Sequence, residues 1–542
     1  MTPSATASTP LLSSWAQNEE HSASGTVGND DDERTVIQVD LPFAKKAAIM
    51  CLAWFGIFLG SVDSTIIATL SGPIASEFGS LNQLSWLATA YLIANAACQP
   101  LSGRITDIFG RGPGIAVSHA FFALGNLMCG LAPNQYVMIL GRVVAGLGGG
   151  GLVTIAIFLI SDLFPLRQRG MVSAIGNLWF GAGLVLGGLI GGLLNDYTKL
   201  GWRLAFLIQV PPGLLSAVAV LLMIKVPPKE SKKSRMARID FFGVLLTCSS
   251  LVLLLYGFSN AGTVFPWTHP VTLTTIPLAV VLLIGFFFWE ARTPQPIIPV
   301  RLLLDPTVLA SCLTSLLTVM IFMTSLFYVP LYLQVLGDSA TTAGVKLLSS
   351  SLAVPIGSFG AGFLMTRTGK YIGLAYTSIL AFTFGVSLFS LQSSNSPAWL
   401  TCLALFFVGG GYNATVTTTQ VASVAAVDHS QQAAVTSAVF MARSIGSTLG
   451  LAIASAAYQN TLRRGLSERF GNESNARRVI DLIMNDLNEL KRLPRGWYEG
   501  TLASFMEAFR AVWFILLGMA ILNFICLLPI RQHKLHPTVD RN

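Results

Sequence analysis

The chain has 542 residues, 53% of them hydrophobic and 11% charged, with a mean hydropathy of +0.64. Soluble domains carry about 25% charged residues, so this composition excludes a soluble enzyme, a disulfide-stapled secreted scaffold and a disordered chain. The net charge of +8 does not point to nucleic acid, because Lys and Arg lie in short clusters between apolar runs, the pattern that orients membrane spans.

Residues 1–46 are polar, rich in Ser and Thr, and include the acidic run Asp30-Asp31-Asp32-Glu33. They read as a disordered cytoplasmic tail, since a cleaved signal peptide needs a basic start and a short apolar core. Apolar runs that match the roughly 20 residues needed to cross a bilayer then follow near 47–70, 84–103, 114–132, 136–160, 171–194 and 203–225. Two more lie near 239–259 and 271–289. The last six lie near 307–333, 344–365, 372–392, 399–420, 433–457 and 508–530. The expectation is an all-α polytopic membrane protein with fourteen spans.

An even count places both termini, including the short tail 531–542, on one side. If that side is the cytoplasm, the tails and cytoplasmic loops hold 20 of the 34 Lys and Arg residues, while the short opposite loops hold only Lys199, Arg203 and Lys346. Short loops report orientation, so this topology is favoured. The loop 458–507 carries eight basic residues on the non-cytoplasmic side, which a long loop tolerates. Its stretch 475–492 has the periodicity of a small amphipathic helix, and Asn472-Glu473-Ser474 is a glycosylation sequon. All seven cysteines fall in apolar segments without metal or disulfide spacing. Neither metal nor cofactor is called for.

The loops separate a transporter from a channel, receptor or enzyme. Gly103-Arg104-Ile105-Thr106-Asp107-Ile108-Phe109-Gly110-Arg111 resembles the signature loop of the major facilitator superfamily, G-x-x-x-D-x-x-G-R. Arg142 in Gly141-Arg142-Val143-Val144-Ala145-Gly146 resembles that family's fourth-span motif. Gly183, Gly187, Gly191 and Gly192 resemble its antiporter glycine motif, with Gly188 where proline is usual. Val62-Asp63-Ser64-Thr65-Ile66-Ile67 is similar to a motif of the fourteen-span drug:proton antiporter branch. The resemblance implies two six-helix halves, 47–225 and 307–530, joined by 226–306, which holds a basic cytoplasmic loop, two inserted helices and a linker. It also implies that Gly103, Asp107, Gly110 and Arg111 latch helix ends in one transport state. A second copy of that loop, near Gly362 to Lys370, has Thr366 where the acid belongs and is assigned no latch. Gly146 to Gly151 fits a dinucleotide pattern, but inside a span it serves helix packing.

Asp63, Arg142 and Arg443 are the deeply placed charges, and such residues usually carry function. Span 1 runs outward and span 4 inward, which puts Asp63 and Arg142 at similar depth and predicts a pair that couples transport to protons. A purely structural salt bridge is the alternative. Asp63, Gln99, Asn177, Asn413, Gln420 and Arg443 are candidate cavity residues, although each polar side chain equally suits interhelical packing. Arg443 fits either a substrate carboxylate or packing.

Within the branch, Ser64 to Leu70, Ser85 to Leu92 and Phe206-Leu207-Ile208-Gln209-Val210-Pro211-Pro212 resemble fungal vacuolar basic amino acid transporters. Leu11-Leu12 resembles a dileucine sorting signal. The resemblance implies import of lysine, arginine or histidine into the vacuole by a monomeric proton antiporter, the cationic substrate and the proton competing for Asp63. The alternative is efflux of cationic drugs at the plasma membrane. A sensor or scaffold without transport is disfavoured by the intact Asp63, Arg142 and Asp107.

Overall fold

The computed structural model describes residues 42–79, 84–164, 166–223, 241–260, 268–292, 304–394, 396–427, 431–470, 476–485 and 496–533. Among them the chain forms sixteen α-helices and no strand. The first seven are α1 (Phe43–Glu77), α2 (Leu84–Phe109), α3 (Arg111–Gly130), α4 (Gln135–Leu163), α5 (Leu166–Tyr197), α6 (Trp202–Leu207) and α7 (Val210–Met223). An inserted pair follows, α8 (Phe241–Asn260) and α9 (Pro270–Glu290). The rest are α10 (Pro306–Val335), α11 (Ala340–Thr368), α12 (Ile372–Ser390), α13 (Ala398–Ala425), α14 (Gln432–Phe470), α15 (Ala476–Asn485) and α16 (Trp497–Leu527).

Eleven membrane-length segments among the described residues are long and apolar enough to cross a bilayer, α6 and α7 together forming one. The expected spans 2, 3 and 7 correspond to α2, α3 and α8, which pack in the same bundle. Buried polar residues such as Thr89, Ser102, His119 and Asn126 make α2 and α3 less apolar. Helix starts carry their own signals. Asn134 caps α4 by accepting from Val137 N at 3.0 Å. Asp305 caps α10 through Thr307 N and Val308 N, with Pro306 in the first turn.

Helices α1 to α7 pack mainly on one another, as do α10 to α16. The hairpin of α8 and α9 leans on both groups: α8 touches α2 and α14, and Phe286 of α9 packs with Val308, Val435 and Val439 of the C-terminal half. The main seam between halves is α5 against α11. Asn177 donates to Ser358 Oγ at 2.9 Å near one end, and Asp196 accepts from Thr341 N at 2.9 Å near the other. Those 19 residue steps along α5 rise about 28 Å, nearly the thickness of a bilayer core. Asp196 and the Gln334 bond to the Thr69 carbonyl (3.0 Å) both sit at the end of the bundle opposite the start of α1, here the far end.

Three segments differ from the sequence expectation. The signature stretch is not a loop: α2 continues to Phe109, and the turn is Gly110 alone, at φ +97°. Span 6 is broken after Leu207, because Pro211 and Pro212 lack the N–H groups that would continue the ladder and are tolerated only in a new first turn. The loop 458–507 is mostly helix. Its apolar residues Leu462, Leu466 and Phe470 recur every fourth position and stay buried. Phe470 stacks on Trp497 at 4.0 Å, so α14 and α16 support one another well past the apolar spans. The amphipathic helix is present as α15, with Ile480, Ile483 and Met484 buried. Leu11, Leu12 and Asn472 lie outside the described residues.

Lacking the usual proline, α5 is one continuous helix of 32 residues. Its glycines set two close approaches. On the face toward α1, a Cβ at Gly187 would stand 2.3 Å from the Val62 carbonyl oxygen and 2.2 Å from Thr65 Oγ1. Toward α11, a Cβ at Gly192 would stand 2.6 Å from Thr341 Cα, whereas at Gly188 the nearest atom is 3.6 Å away. Overpacking costs about 1–3 kcal/mol. Gly187→Ala is therefore expected to lower the thermal unfolding midpoint of the purified protein by several degrees and Gly188→Ala to leave it unchanged. Equal midpoints for the two variants would refute this packing account.

Candidate functional site

Helix α4 carries Arg142 between two glycines that let neighbouring helices close on it. A Cβ at Gly141 would stand 2.8 Å from Cys129 Sγ of α3, and one at Gly146 would stand 2.4 Å from the Tyr91 carbonyl oxygen of α2. With α2 and α3 drawn in, the Arg142 side chain is 1% exposed and points at α1. Its Nη1 donates to both oxygens of Asp63, at 2.9 and 2.7 Å, and its Nε donates to the Leu87 carbonyl at 3.0 Å. The guanidinium also lies over the Tyr91 ring, 4.5 Å from the centroid. Asp63 is 0% exposed. The predicted pairing of these two charges across α1 and α4 is thus present.

Burial has a consequence for mechanism. Both Asp63 oxygens are held by Arg142, so a cationic substrate has no direct access to that carboxylate in this conformation. The expected placement of Asp63 on a cavity wall gives way to a position sealed inside the N-terminal half. Sequence reading also missed Gln209 as a member of the site. The break before Pro211-Pro212 frees its side chain, which donates to the Ala205 carbonyl at 3.0 Å and lies within hydrogen-bonding reach of Asp63.

The other expected cavity residues fall into two groups. Gln99 donates to Asn95 Oδ1 (2.8 Å) and accepts from Ser444 Oγ (2.8 Å), which bridges α2 and α14 across the halves. Asn177 crosses the seam to Ser358, which is 3.4 Å from Thr417 Oγ1. Arg443 donates to the Val416 carbonyl (3.1 Å) and to Gln420 Oε1 (3.0 Å), with its guanidinium over Phe440. Asn413 is 5% exposed and donates to the Val354 carbonyl, which makes it a packing contact within the C-terminal half. His119 likewise joins α3 to α7, through Ser216 Oγ at 3.0 Å.

In the signature stretch, Arg111 Nε donates to Asp162 Oδ2 of α4 at 2.8 Å, and Nη1 donates to Thr106 Oγ1 at 2.7 Å. Arg111 is buried beneath these contacts and over the Phe158 ring. The surroundings of Gly103 and the side chain of Asp107 lie outside what the structure describes. Asp162 was not legible as a partner, because at the end of a span it looks like an ordinary flanking charge.

A family model described as Major Facilitator Superfamily matches residues 53–451. The chain belongs to the Major Facilitator Superfamily. Multidrug resistance protein fnx1 of Schizosaccharomyces pombe is 32% identical over 504 residues, 92% of this chain and 94% of that protein. Vacuolar basic amino acid transporter 2 of Saccharomyces cerevisiae is 34% identical over 391 residues, 69% of this chain and 81% of that protein. In fold, the chain is similar to an inward-facing bacterial homolog of the human lysosomal transporter Spinster, with a TM-score of 0.63 at 16% identity, over 90% of this chain and 98% of that one. The protein is a multi-pass membrane transporter of the Major Facilitator Superfamily and not an enzyme.

Hydrogen bonds to charged groups contribute about 1.5–3 kcal/mol each, so Asp162 is expected to support this end of α4. Asp162→Ala should lower both the unfolding midpoint and the initial transport rate, the latter several-fold, while Asp162→Glu should retain most of both. Wild-type values for Asp162→Ala in thermal unfolding and uptake assays would remove Asp162 from the machinery.

Proposed function

We infer that the protein is a proton-coupled antiporter that moves lysine, arginine or histidine from the cytosol into the acidic vacuole, with both termini cytosolic and the far end lumenal. The observation that carries this reading is the sealed Asp63–Arg142 pair. A proton on Asp63 cancels the carboxylate charge, while the guanidinium stays charged at any accessible pH. Arg142 then keeps only the Leu87 carbonyl and the Tyr91 face as partners among the contacts described above. Breaking a buried pair in this way costs about 3–5 kcal/mol, enough to reverse the populations of two arrangements of the bundle. Deprotonation restores the pair and the starting arrangement. Each pH unit across the membrane supplies about 1.4 kcal/mol per proton.

Substrate and proton then influence one another through conformation rather than by sharing one carboxylate. The signature stretch, with Gly103, Asp107, Gly110 and Arg111, serves as the latch of one state, and the contacts of Asp196 and Gln334 close the far end in the state described here. The name of the yeast vacuolar relative supports the substrate class. The name of fnx1 supports a second reading, efflux of cationic drugs at the plasma membrane by the same coupling.

Labelled lysine, arginine or histidine should accumulate in acidified vesicles that contain the protein, and a protonophore should collapse the accumulation. Asp63→Asn, a mimic of the protonated acid, should abolish accumulation at near-normal protein abundance. Arg142→Ala should fail as well, whereas Arg142→Lys keeps the charge without the planar fork and should retain part of the rate. Wild-type rates for Asp63→Asn would sink the coupling role. If none of the three amino acids is taken up and cells lacking the protein become sensitive to cationic toxic compounds, the drug-efflux reading replaces this one.

A further inference from the structure

The two halves treat their deep arginines differently. Arg142 has a carboxylate at 2.7 Å, whereas Arg443 has no acidic partner within ion-pair distance among the described residues. Arg443 is the twelfth residue of the 39-residue α14, about 17 Å along the helix. Its Nη2 makes the two bonds to neutral oxygens of α13, its Nη1 makes none among the described residues, and its Nε is buried without a partner. A guanidinium offers five donors in a planar fork matched to a carboxylate. An uncompensated charge at this depth is costly and points to a ligand or ion pathway.

A neighbouring helix also carries unpaired hydroxyls. On α10, which packs against both α13 and α14, the buried hydroxyls of Ser311 and Thr314 lack partners among the described residues. Between α10 and α13, Phe322 and Tyr412 stack at 3.9 Å and stiffen that wall. Ser444, next to the arginine, contacts Gln99 of the other half at 2.8 Å, which brings this part of α14 against α2 of the N-terminal half. Arg443 is partly exposed where Arg142 is sealed.

We propose that Arg443 anchors a carboxylate of the transported substrate, so that the substrate carries a carboxylate together with its cationic group. This rests on the amino-acid reading given above and adds what that reading lacks, a site for the part of the molecule that a cationic drug does not have.

The test uses the full chain in proteoliposomes with an acidic interior, as wild type, Arg443→Gln and Arg443→Lys. Uptake of labelled lysine is competed by unlabelled lysine or by lysinamide, which replaces the carboxylate with a neutral amide. Ligand-induced shifts in unfolding temperature of the same purified proteins read the preference where uptake is too low. In wild type, lysinamide is expected to compete at least tenfold more weakly than lysine. In Arg443→Gln the two ligands should become equivalent, with the lysinamide response retained, and Arg443→Lys should keep part of the preference. Lysine uptake by wild type with the preference unchanged in Arg443→Gln overturns the anchor alone. Loss of both ligand responses in Arg443→Gln assigns the residue to packing and also overturns it. A wild type that neither takes up lysine nor is stabilised by it overturns the amino-acid reading and the anchor together.

Discussion

Arg142 carries a permanent charge into a part of the bundle that water does not reach, and the N-terminal half is arranged around that fact. Asp63 supplies the opposite charge, the Leu87 carbonyl accepts a further bond, and the Tyr91 ring covers the guanidinium. These partners come from two helices, α1 and α2, and α2 and α3 approach α4 closely because glycines line α4. Glycine packing and the ion pair therefore depend on each other. A side chain at Gly146 would separate α4 from the carbonyl-bearing strip of α2, and loss of the charge on Asp63 would leave the closely packed site with an unbalanced cation.

The C-terminal half follows the same helical plan with different chemistry. Its inner helices α10 and α13 are joined by hydroxyl and aromatic contacts, including Ser315 with Thr419 at 3.2 Å and Phe322 with Tyr412. Its deep arginine leans on neutral oxygens. One half thus holds a closed charge pair and the other an open cation, while the α5–α11 contacts between the halves run nearly the full thickness of a membrane.

The membrane class and the eleven segments long and apolar enough to cross a bilayer were legible from hydropathy, because long apolar runs admit few other structures. The Asp63–Arg142 pair was legible too: few charges lie deep in spans, and antiparallel helices bring these two to similar depth. Gln209 was hidden because hydropathy reads 203–225 as one span, and only the stereochemistry of Pro211-Pro212 breaks it. The reach of α14 to Phe470 was hidden by Arg463 and Arg464, which end the apolar run while the buried positions Leu462 and Leu466 keep the helical period. Sequence alone also placed Asp63 on a cavity wall. The number of groups that converge on Arg142 is a property of packing, and it seals the carboxylate away.

The hairpin of α8 and α9 does more than join the halves. Because α8 touches both α2 and α14, it covers one flank of the seam, and α5 with α11 covers the other. Among the described residues, helices therefore stand beside Gln99 on one flank and Asn177 on the other. A solute that approaches these residues along the long axis of the bundle comes from water and already hydrated. Such a route sorts solutes by the water they can shed rather than by how well they dissolve in oil, and it sets a greasy molecule lodged in the bilayer at a disadvantage before any side chain has touched it.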